Sequence, residues 1–98
     1  MAQANNLIAE IDAAVAANKI MVYSKTTCPH CRATKELLSS KNYEANIVEL
    51  DQLGNGAELQ NALQQKTGQR TVPNIFINGE HIGGNSELQA ANSNGSLA

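Results

Sequence analysis

The chain has 98 residues, which suits one domain with a modest core, and we predict a single domain over residues 1–98. Its formal net charge of -2 and its pI near 5.6 provide no overall positive field for nucleic acid or anionic lipid. No apolar run approaches the ~20 residues of a membrane span, and the first 20 residues resemble neither a secretory signal nor a transit peptide. These observations predict a cytoplasmic protein without nucleic-acid or membrane partners.

The first half of the chain alternates helical and strand patterns. Apolar residues recur at three- and four-residue spacing between Leu7 and Ala17, which predicts an amphipathic helix. The short apolar run over residues 20–23 is rich in strand formers and predicts a central strand buried on both faces. Pro29 is typical of a first helical turn, and helical spacing continues from it to about Ser40.

A second strand is predicted over Glu44 to Asp51. A strand, a helix and a strand within about 30 residues form a right-handed unit with parallel strands. A third helical face, over residues 59–63, is closed by Gly68 as a candidate cap. Another strand is predicted over Asn74 to Ile77.

The last part of the chain is predicted to form a hairpin and a helix. Asn78-Gly79 is a strong hairpin signal, and Gly83-Gly84 ends the returning strand. Ser86 and Gln89 have the spacing of a capping box for a last helix. This order of elements predicts an α/β protein that resembles the thioredoxin-like fold, with a four-stranded mixed sheet flanked by helices on both faces.

The two cysteines, Cys28 and Cys31, are separated by two residues at the start of the second predicted helix. Backbone N–H groups and the helix dipole stabilise a thiolate at a helix N-terminus, so Cys28 is the favoured nucleophile. The cations Lys25 and Arg32 are expected to act in the same direction. A low thiol pKa also makes Cys28 a good leaving group when Cys31 attacks it.

Two other interpretations of the cysteine pair are less favoured. A structural zinc site normally has four protein ligands, and here only His30, between the cysteines, and His81 are available to complete it. A pair of inert buried thiols fits poorly with a proline at the helix start and with flanking cations. We therefore expect no metal.

Three segments resemble the dithiol glutaredoxins closely: residues 25–31 (KTTCPHC), residues 68–79 (GQRTVPNIFING) and residues 83–85 (GGN). The resemblance implies a glutathione-dependent thiol-disulfide oxidoreductase that acts on glutathione mixed disulfides and on protein disulfides. Cys28 is the implied nucleophile and Cys31 the implied resolving thiol. The implied partners are glutathione, as co-substrate, and glutathionylated or disulfide-containing proteins, and the implied state is a monomer.

The resemblance also assigns a glutathione groove. Most X-Pro bonds are trans, but the resemblance implies a cis Pro73 that faces Cys28. It implies that the Val72 backbone pairs with glutathione as an added strand. Lys25 and Gln60 are expected at the glycine carboxylate, and Asn85 and Ser86 at the γ-glutamyl end. The full implied glutathione-binding set is Lys25, Gln60, Thr71, Val72, Pro73, Gly84, Asn85 and Ser86.

Several of these residues could instead have structural roles that involve no contact with glutathione. Gln60 could be a solvated helix residue, Gly83-Gly84 a simple turn, and Ser86 only a cap. The resemblance and the local chemistry together assign support of the active site to Lys25, Pro29, His30, Arg32 and Pro73.

The sequence departs from many dithiol glutaredoxins at His30, where they have tyrosine. An imidazole at this position could stabilise the Cys28 thiolate, or it could be a solvent-exposed side chain with little influence. The alternative function is a scaffold for a glutathione-ligated iron-sulfur cluster, which Pro29 argues against because its ring restricts the loop. A thioredoxin proper is disfavoured because no Trp precedes Cys28.

Overall fold

A computed structural model of the protein describes residues 2–95, with side chains described from residue 6 onward. The elements in chain order are α1 (Ala2–Ala17), β1 (Ile20–Ser24), α2 (Pro29–Ser40), β2 (Asn46–Glu49), a 3-10 turn (Leu50–Gln52), α3 (Gly56–Thr67), β3 (Asn74–Ile77), β4 (Glu80–Gly83) and α4 (Asn85–Ser93). None of the helices described between residues 2 and 95 has the length and apolar character needed to cross a membrane.

The four strands form one mixed sheet in the order β2-β1-β3-β4. β1 is parallel to β2 and antiparallel to β3, while β3 and β4 form an antiparallel hairpin. The hairpin turn has positive φ at Asn78 (53°) and Gly79 (83°), as a tight turn between twisted strands requires. The predicted central position of β1 and the predicted thioredoxin-like fold class are confirmed.

The core is divided between the two faces of the sheet because successive side chains of a strand point in opposite directions. Met21 and Tyr23 of β1 pack with α1 and α3, and the Tyr23 ring meets Phe76 edge-on at 6.3 Å between ring centroids. Val22 packs on the other face with Leu38 of α2 and Leu88 of α4. The predicted arrangement of helices on both faces follows from this alternation.

Several predicted boundaries differ from the structure, among them the start of β2, which lies at Asn46 and not at the predicted Glu44. α1 begins at Ala2, earlier than the predicted Leu7. β2 ends at Glu49, earlier than the predicted Asp51, because a 3-10 turn carries Leu50 into the core.

The capping box predicted for Ser86 and Gln89 is wrong. α4 begins at Asn85, and the Glu87 carboxylate accepts a hydrogen bond from the Gly84 N–H at 2.7 Å. Gln89 instead donates to the Asn85 side chain at 3.2 Å. The helix therefore starts immediately after the glycine pair, and Ser86 lies in its first turn.

Candidate active site

Cys28 occupies the N-cap position of α2, directly after the loop that follows β1. Its backbone is extended, with φ of -91° and ψ of 121°, and Pro29 begins the helix without needing an N–H partner. The Cys28 sulfur accepts a hydrogen bond from the Cys31 N–H at 3.4 Å and lies 3.7 Å from the Val72 carbonyl oxygen. The sulfur is half-buried, so it is held at the helix end and remains reachable.

Electrostatics favour the thiolate of Cys28. Partial burial acts to raise its pKa, but backbone hydrogen bonds from Cys31 and His30, the Cys31 thiol and the positive charge of Lys35 outweigh it. The net result is a pKa below the ordinary value of a cysteine. The contributing cation, Lys35, lies seven residues after Cys28 and therefore two helical turns along the same face.

Cys31 has the opposite character. Its side chain has no exposed surface. Burial is the largest effect and raises its pKa, and the neighbouring Cys28 sulfur raises it further. Hydrogen bonds from the Lys25 backbone and from the Ser24 side chain act in the lowering direction without reversing the shift. Cys31 is therefore held as a thiol beneath the more accessible Cys28.

An aspartate that the sequence analysis did not single out holds the loop before Cys28. The Asp51 carboxylate accepts hydrogen bonds from the Thr26 hydroxyl at 2.5 Å and from the Thr26 N–H at 3.2 Å. These bonds, led by the hydroxyl and helped by the charge of Lys25, lower the pKa of Asp51. In turn, the Lys25 carbonyl accepts from the Cys28 N–H at 3.2 Å. Asp51 thus fixes the approach of the chain to the nucleophile.

The Val72-Pro73 bond is cis, as the family resemblance implied and sequence statistics alone did not. Pro73 is buried, and Val72 is the residue whose carbonyl lies against the Cys28 sulfur. The Gln69 side chain donates to the carbonyls of Thr71 at 2.9 Å and Pro73 at 3.0 Å. These side-chain bonds hold the Gln69–Pro73 segment in place opposite Cys28.

Gln60 supports the same segment from α3. It is half-buried, and its amide donates to the Arg70 carbonyl at 2.7 Å. This contact makes Gln60 more than a solvated helix residue. The exposed Thr71 follows Arg70 in the segment that leads to the cis bond.

The N-terminus of α4 closes the third side of the site. A side chain on Gly84 would lie 3.6 Å from the Pro73 carbonyl oxygen, so the glycine pair is next to the cis-proline segment. Asn85 is half-buried, and its side-chain oxygen Oδ1 accepts a hydrogen bond from the Thr34 hydroxyl of α2 at 3.0 Å. Ser86 is exposed in the first turn. The start of α4 is therefore tied to α2, the helix that carries the cysteines.

The remaining predicted support residues lie on the surface of the site. Pro29, His30 and Arg32 are all exposed. His30 contributes its backbone N–H to the Cys28 sulfur, and the Arg32 N–H donates to the Cys28 carbonyl at 3.1 Å in the first turn of α2. Within residues 2–95, no cluster of three or more histidine, cysteine or acidic side chains has a metal-binding arrangement.

Three segments far apart in sequence therefore meet around Cys28: its own loop and helix, the cis-proline segment, and the start of α4. Three residues that shape the site were not predicted from the sequence: Lys35, Asp51 and Glu87. Each had a usable signal, namely helical spacing from Cys28, position after a strand parallel to β1, and the third position of a helix. Those signals became decisive only once the element boundaries were known.

Comparison with known proteins points to one family. The glutaredoxin family model matches residues 20–82. A glutaredoxin of Vernicia fordii is 46% identical over 83 residues, which cover 85% of this chain and 80% of that protein. Glutaredoxin-1 of Rhizophagus irregularis is 44% identical over 88 residues, covering 90% and 87% of the two chains. The crystal structure of a buckwheat glutaredoxin-glutathione complex superposes with a TM-score of 0.94 at 39% identity, covering 97% and 86%.

Proposed function

The chain belongs to the glutaredoxin family of glutathione-dependent oxidoreductases, and from that premise we propose that it reduces glutathione mixed disulfides and protein disulfides through the Cys28 thiolate. The observation that carries the proposal is the opposite state of the two sulfurs. Cys28 is half-buried at a helix N-terminus with a lowered pKa, whereas Cys31 is fully buried with a raised pKa. The accessible thiolate is the group suited to begin thiol-disulfide exchange.

With a glutathionylated protein, the Cys28 thiolate attacks the glutathione sulfur. A bond forms between Cys28 and glutathione, and the substrate leaves as a thiolate that takes up a proton. A second glutathione thiolate then attacks the Cys28-bound glutathione, which releases glutathione disulfide and restores Cys28. Each exchange forms one disulfide and breaks one, so the electrons come from glutathione.

With a protein disulfide, attack by Cys28 gives a mixed disulfide with the protein. Cys31 then attacks the Cys28 sulfur, closes the Cys28-Cys31 bond and releases the second substrate thiol. Glutathione subsequently reduces the internal disulfide. Cys31 is accordingly needed for this route and dispensable for removal of glutathione.

Glutathione is proposed to lie between the cis-proline segment and the start of α4. The Val72 carbonyl oxygen lies 3.7 Å from the Cys28 sulfur, and a residue that precedes proline favours the extended form that a peptide can pair with. The first backbone N–H groups of α4, at Asn85 and Ser86, suit the γ-glutamyl carboxylate. The cationic Lys25 and the amide of Gln60 are proposed at the glycine carboxylate, and Thr71, Pro73 and Gly84 complete the groove. The buckwheat relative bears on this point because its structure is a complex with glutathione.

We further propose that residues 1–98 act as a single domain, as a monomer, in the cytoplasm, on glutathionylated and disulfide-containing proteins. The net charge of -2 and the absence of a basic surplus support protein and peptide substrates over nucleic acid.

The test is a glutathione-coupled assay with both a glutathione mixed disulfide and a protein disulfide as substrates. Cys28→Ser is expected to be inactive on both. Cys31→Ser is expected to keep deglutathionylation and to lose protein-disulfide reduction. A Cys31→Ser protein that is inactive on both substrates contradicts the division of roles, and visible iron-sulfur absorbance after anaerobic purification supports the cluster scaffold instead.

A further inference from the structure

A single side chain holds the backbone on both sides of Val72. The Gln69 amide nitrogen Nε2 donates to the Thr71 carbonyl at 2.9 Å and to the Pro73 carbonyl at 3.0 Å. An amide NH2 group has two hydrogens, so each carbonyl receives one of them. The Val72 carbonyl between them lies 3.7 Å from the Cys28 sulfur. Gln69 and Cys28 therefore meet alternate carbonyls of one short segment.

Gln69 is itself fixed to the end of α3. Its backbone N–H donates to the Thr67 hydroxyl oxygen at 3.1 Å, and the Thr67 hydroxyl donates to the Leu63 carbonyl at 2.7 Å. The Asn74 amide, which follows the segment in the chain, donates to the same Thr67 oxygen at 3.4 Å. Leu63 and Asn74 are buried. The Gln69 amide is therefore carried on a support that is anchored in the core.

The backbone polar groups of Val72 are the ones that this arrangement leaves open. Among residues 2–95, the Val72 N–H has no hydrogen-bond partner, and the Val72 carbonyl meets only the Cys28 thiol. When the carbonyls on both sides of a residue are already held, pairing with a peptide orders less additional chain. Binding then costs less conformational entropy.

We propose that Gln69 is a positioning residue for glutathione, because its amide holds the carbonyls on both sides of Val72 and so presents the Val72 backbone to the tripeptide beside Cys28. The proposal rests on the proposed glutathione-dependent function and adds a residue outside the binding set assigned above. Gln69 acts through Val72 and not on the reacting sulfur. The expected consequence of its loss is a weaker preference for glutathione mixed disulfides with an unchanged Cys28 thiolate.

The test compares two mixed disulfides of one cysteine-containing peptide, the first with glutathione and the second with 2-mercaptoethanol. Cys28 attacks both, but only the first has a tripeptide that can pair with Val72. The rate constant of the first exchange is measured for each, and the ratio of the two rate constants reports recognition of glutathione separately from the reactivity of Cys28. In Gln69→Met, which has no donor, we expect this ratio to fall about tenfold because two hydrogen bonds to the backbone are lost.

Gln69→Glu gives a readout that a merely structural role would not move. Its carboxylate cannot donate a hydrogen bond, whereas the protonated acid has one O–H donor. Near neutral pH we expect the ratio to be about tenfold below that of wild type. As the pH falls towards the ordinary carboxyl pKa of about 4.3, the ratio should recover in part relative to wild type at the same pH. Gln69→Met should show no such recovery.

Gln65→Glu is the matched control. Gln65 is exposed on α3, so the substitution adds the same charge on the surface of the helix that precedes the segment. We expect it to keep the wild-type ratio at every pH. Alkylation of Cys28 by iodoacetamide should keep its wild-type rate in all three variants, and urea unfolding verifies that each variant is folded.

The outcomes distinguish the two proposals. A wild-type ratio in both Gln69→Met and Gln69→Glu overturns the positioning role. Equal slowing with both mixed disulfides also overturns it, because that result indicates an effect on Cys28 and not on recognition. A deficit in Gln69→Glu that stays constant at low pH overturns the role of the amide as donor. A wild-type protein that does not prefer the glutathione mixed disulfide shows instead that the proposed glutathione-dependent function is wrong.

Discussion

Gly83→Ala is the substitution that most directly tests how the start of α4 is built. Gly83 has a φ of 124°, a backbone conformation that residues with a side chain rarely adopt. A Cβ atom there would lie 2.9 Å from Glu87 Oε1 and 3.0 Å from Glu87 Cγ. The same carboxylate accepts the Gly84 N–H at 2.7 Å, so relieving the contact breaks the cap.

The cost follows from these two effects. Backbone strain of this kind costs about 1–3 kcal/mol, and loss of a helix N-terminal cap costs about 0.5–2 kcal/mol. Because Glu87 is exposed and can move, we expect a decrease in the free energy of unfolding of about 2–4 kcal/mol. For a domain of this length that corresponds to a fall in Tm of roughly 10–25 °C.

Urea unfolding and thermal melts measure this loss, and the coupled glutathione assay measures the accompanying rise in KM. Gly79→Ala is the matched control, since Gly79 also has a positive φ (83°) but a Cβ atom on it would meet no neighbouring atom within 4 Å. Gly79→Ala introduces the backbone strain of a positive φ but no contact with Glu87. Glu87→Ala removes the hydrogen bond to the Gly84 N–H but introduces no backbone strain. A Gly83→Ala protein no less stable than the Gly79→Ala control would refute the reasoning about Glu87.

Three more predictions concern the thiolate. Lys35→Gln removes the cation that acts on Cys28, so the pKa of Cys28 should rise and iodoacetamide alkylation at neutral pH should slow; an unchanged rate contradicts this assignment. His30→Tyr keeps the backbone N–H that bonds the sulfur, so the pKa of Cys28 should hardly change; a clear rise would instead show that the imidazole itself acts. In a Cys31→Ser background, Cys28 should stabilise the fold relative to Cys28→Ser above its unfolded pKa. Because the folded pKa is the lower one, that advantage should disappear as the pH falls through the folded value, which melts across a pH series can measure.

Much of the fold could be predicted because its elements have strong local patterns. The buried run of β1, the Pro29 helix start and the Asn78-Gly79 turn each depend on short-range chemistry, and each is found where the sequence indicated. The end of β2 was missed because Leu50 continues the apolar pattern of the strand while entering the core from a 3-10 turn. The packing of Leu50 in the core, and not its local strand propensity, determines where β2 ends.

The site was predictable to a smaller extent. Cys28 and Cys31 came from a compact motif, the cis form of Pro73 was implied by the family resemblance, and the structure brings Cys28 against Val72. Lys35 was missed because its effect on the Cys28 sulfur depends on where α2 begins, and Asp51 was missed because its contact with Thr26 forms only when the ends of β1 and β2 lie side by side. Ser86 was chosen as a cap from its spacing alone, whereas the Gly84 N–H selects Glu87 once the helix start is fixed.

The two sulfurs are coupled in a way that orders the proposed reaction. The Cys28 sulfur raises the pKa of Cys31, and the Cys31 N–H stabilises the Cys28 thiolate. While Cys28 is a free thiolate, Cys31 is therefore kept protonated and cannot compete for the substrate. Formation of the mixed disulfide removes the negative charge from Cys28 and with it part of the barrier to ionising Cys31. In the proposed mechanism the first attack thus prepares the second, and the buried thiol becomes reactive only when there is a mixed disulfide for it to resolve.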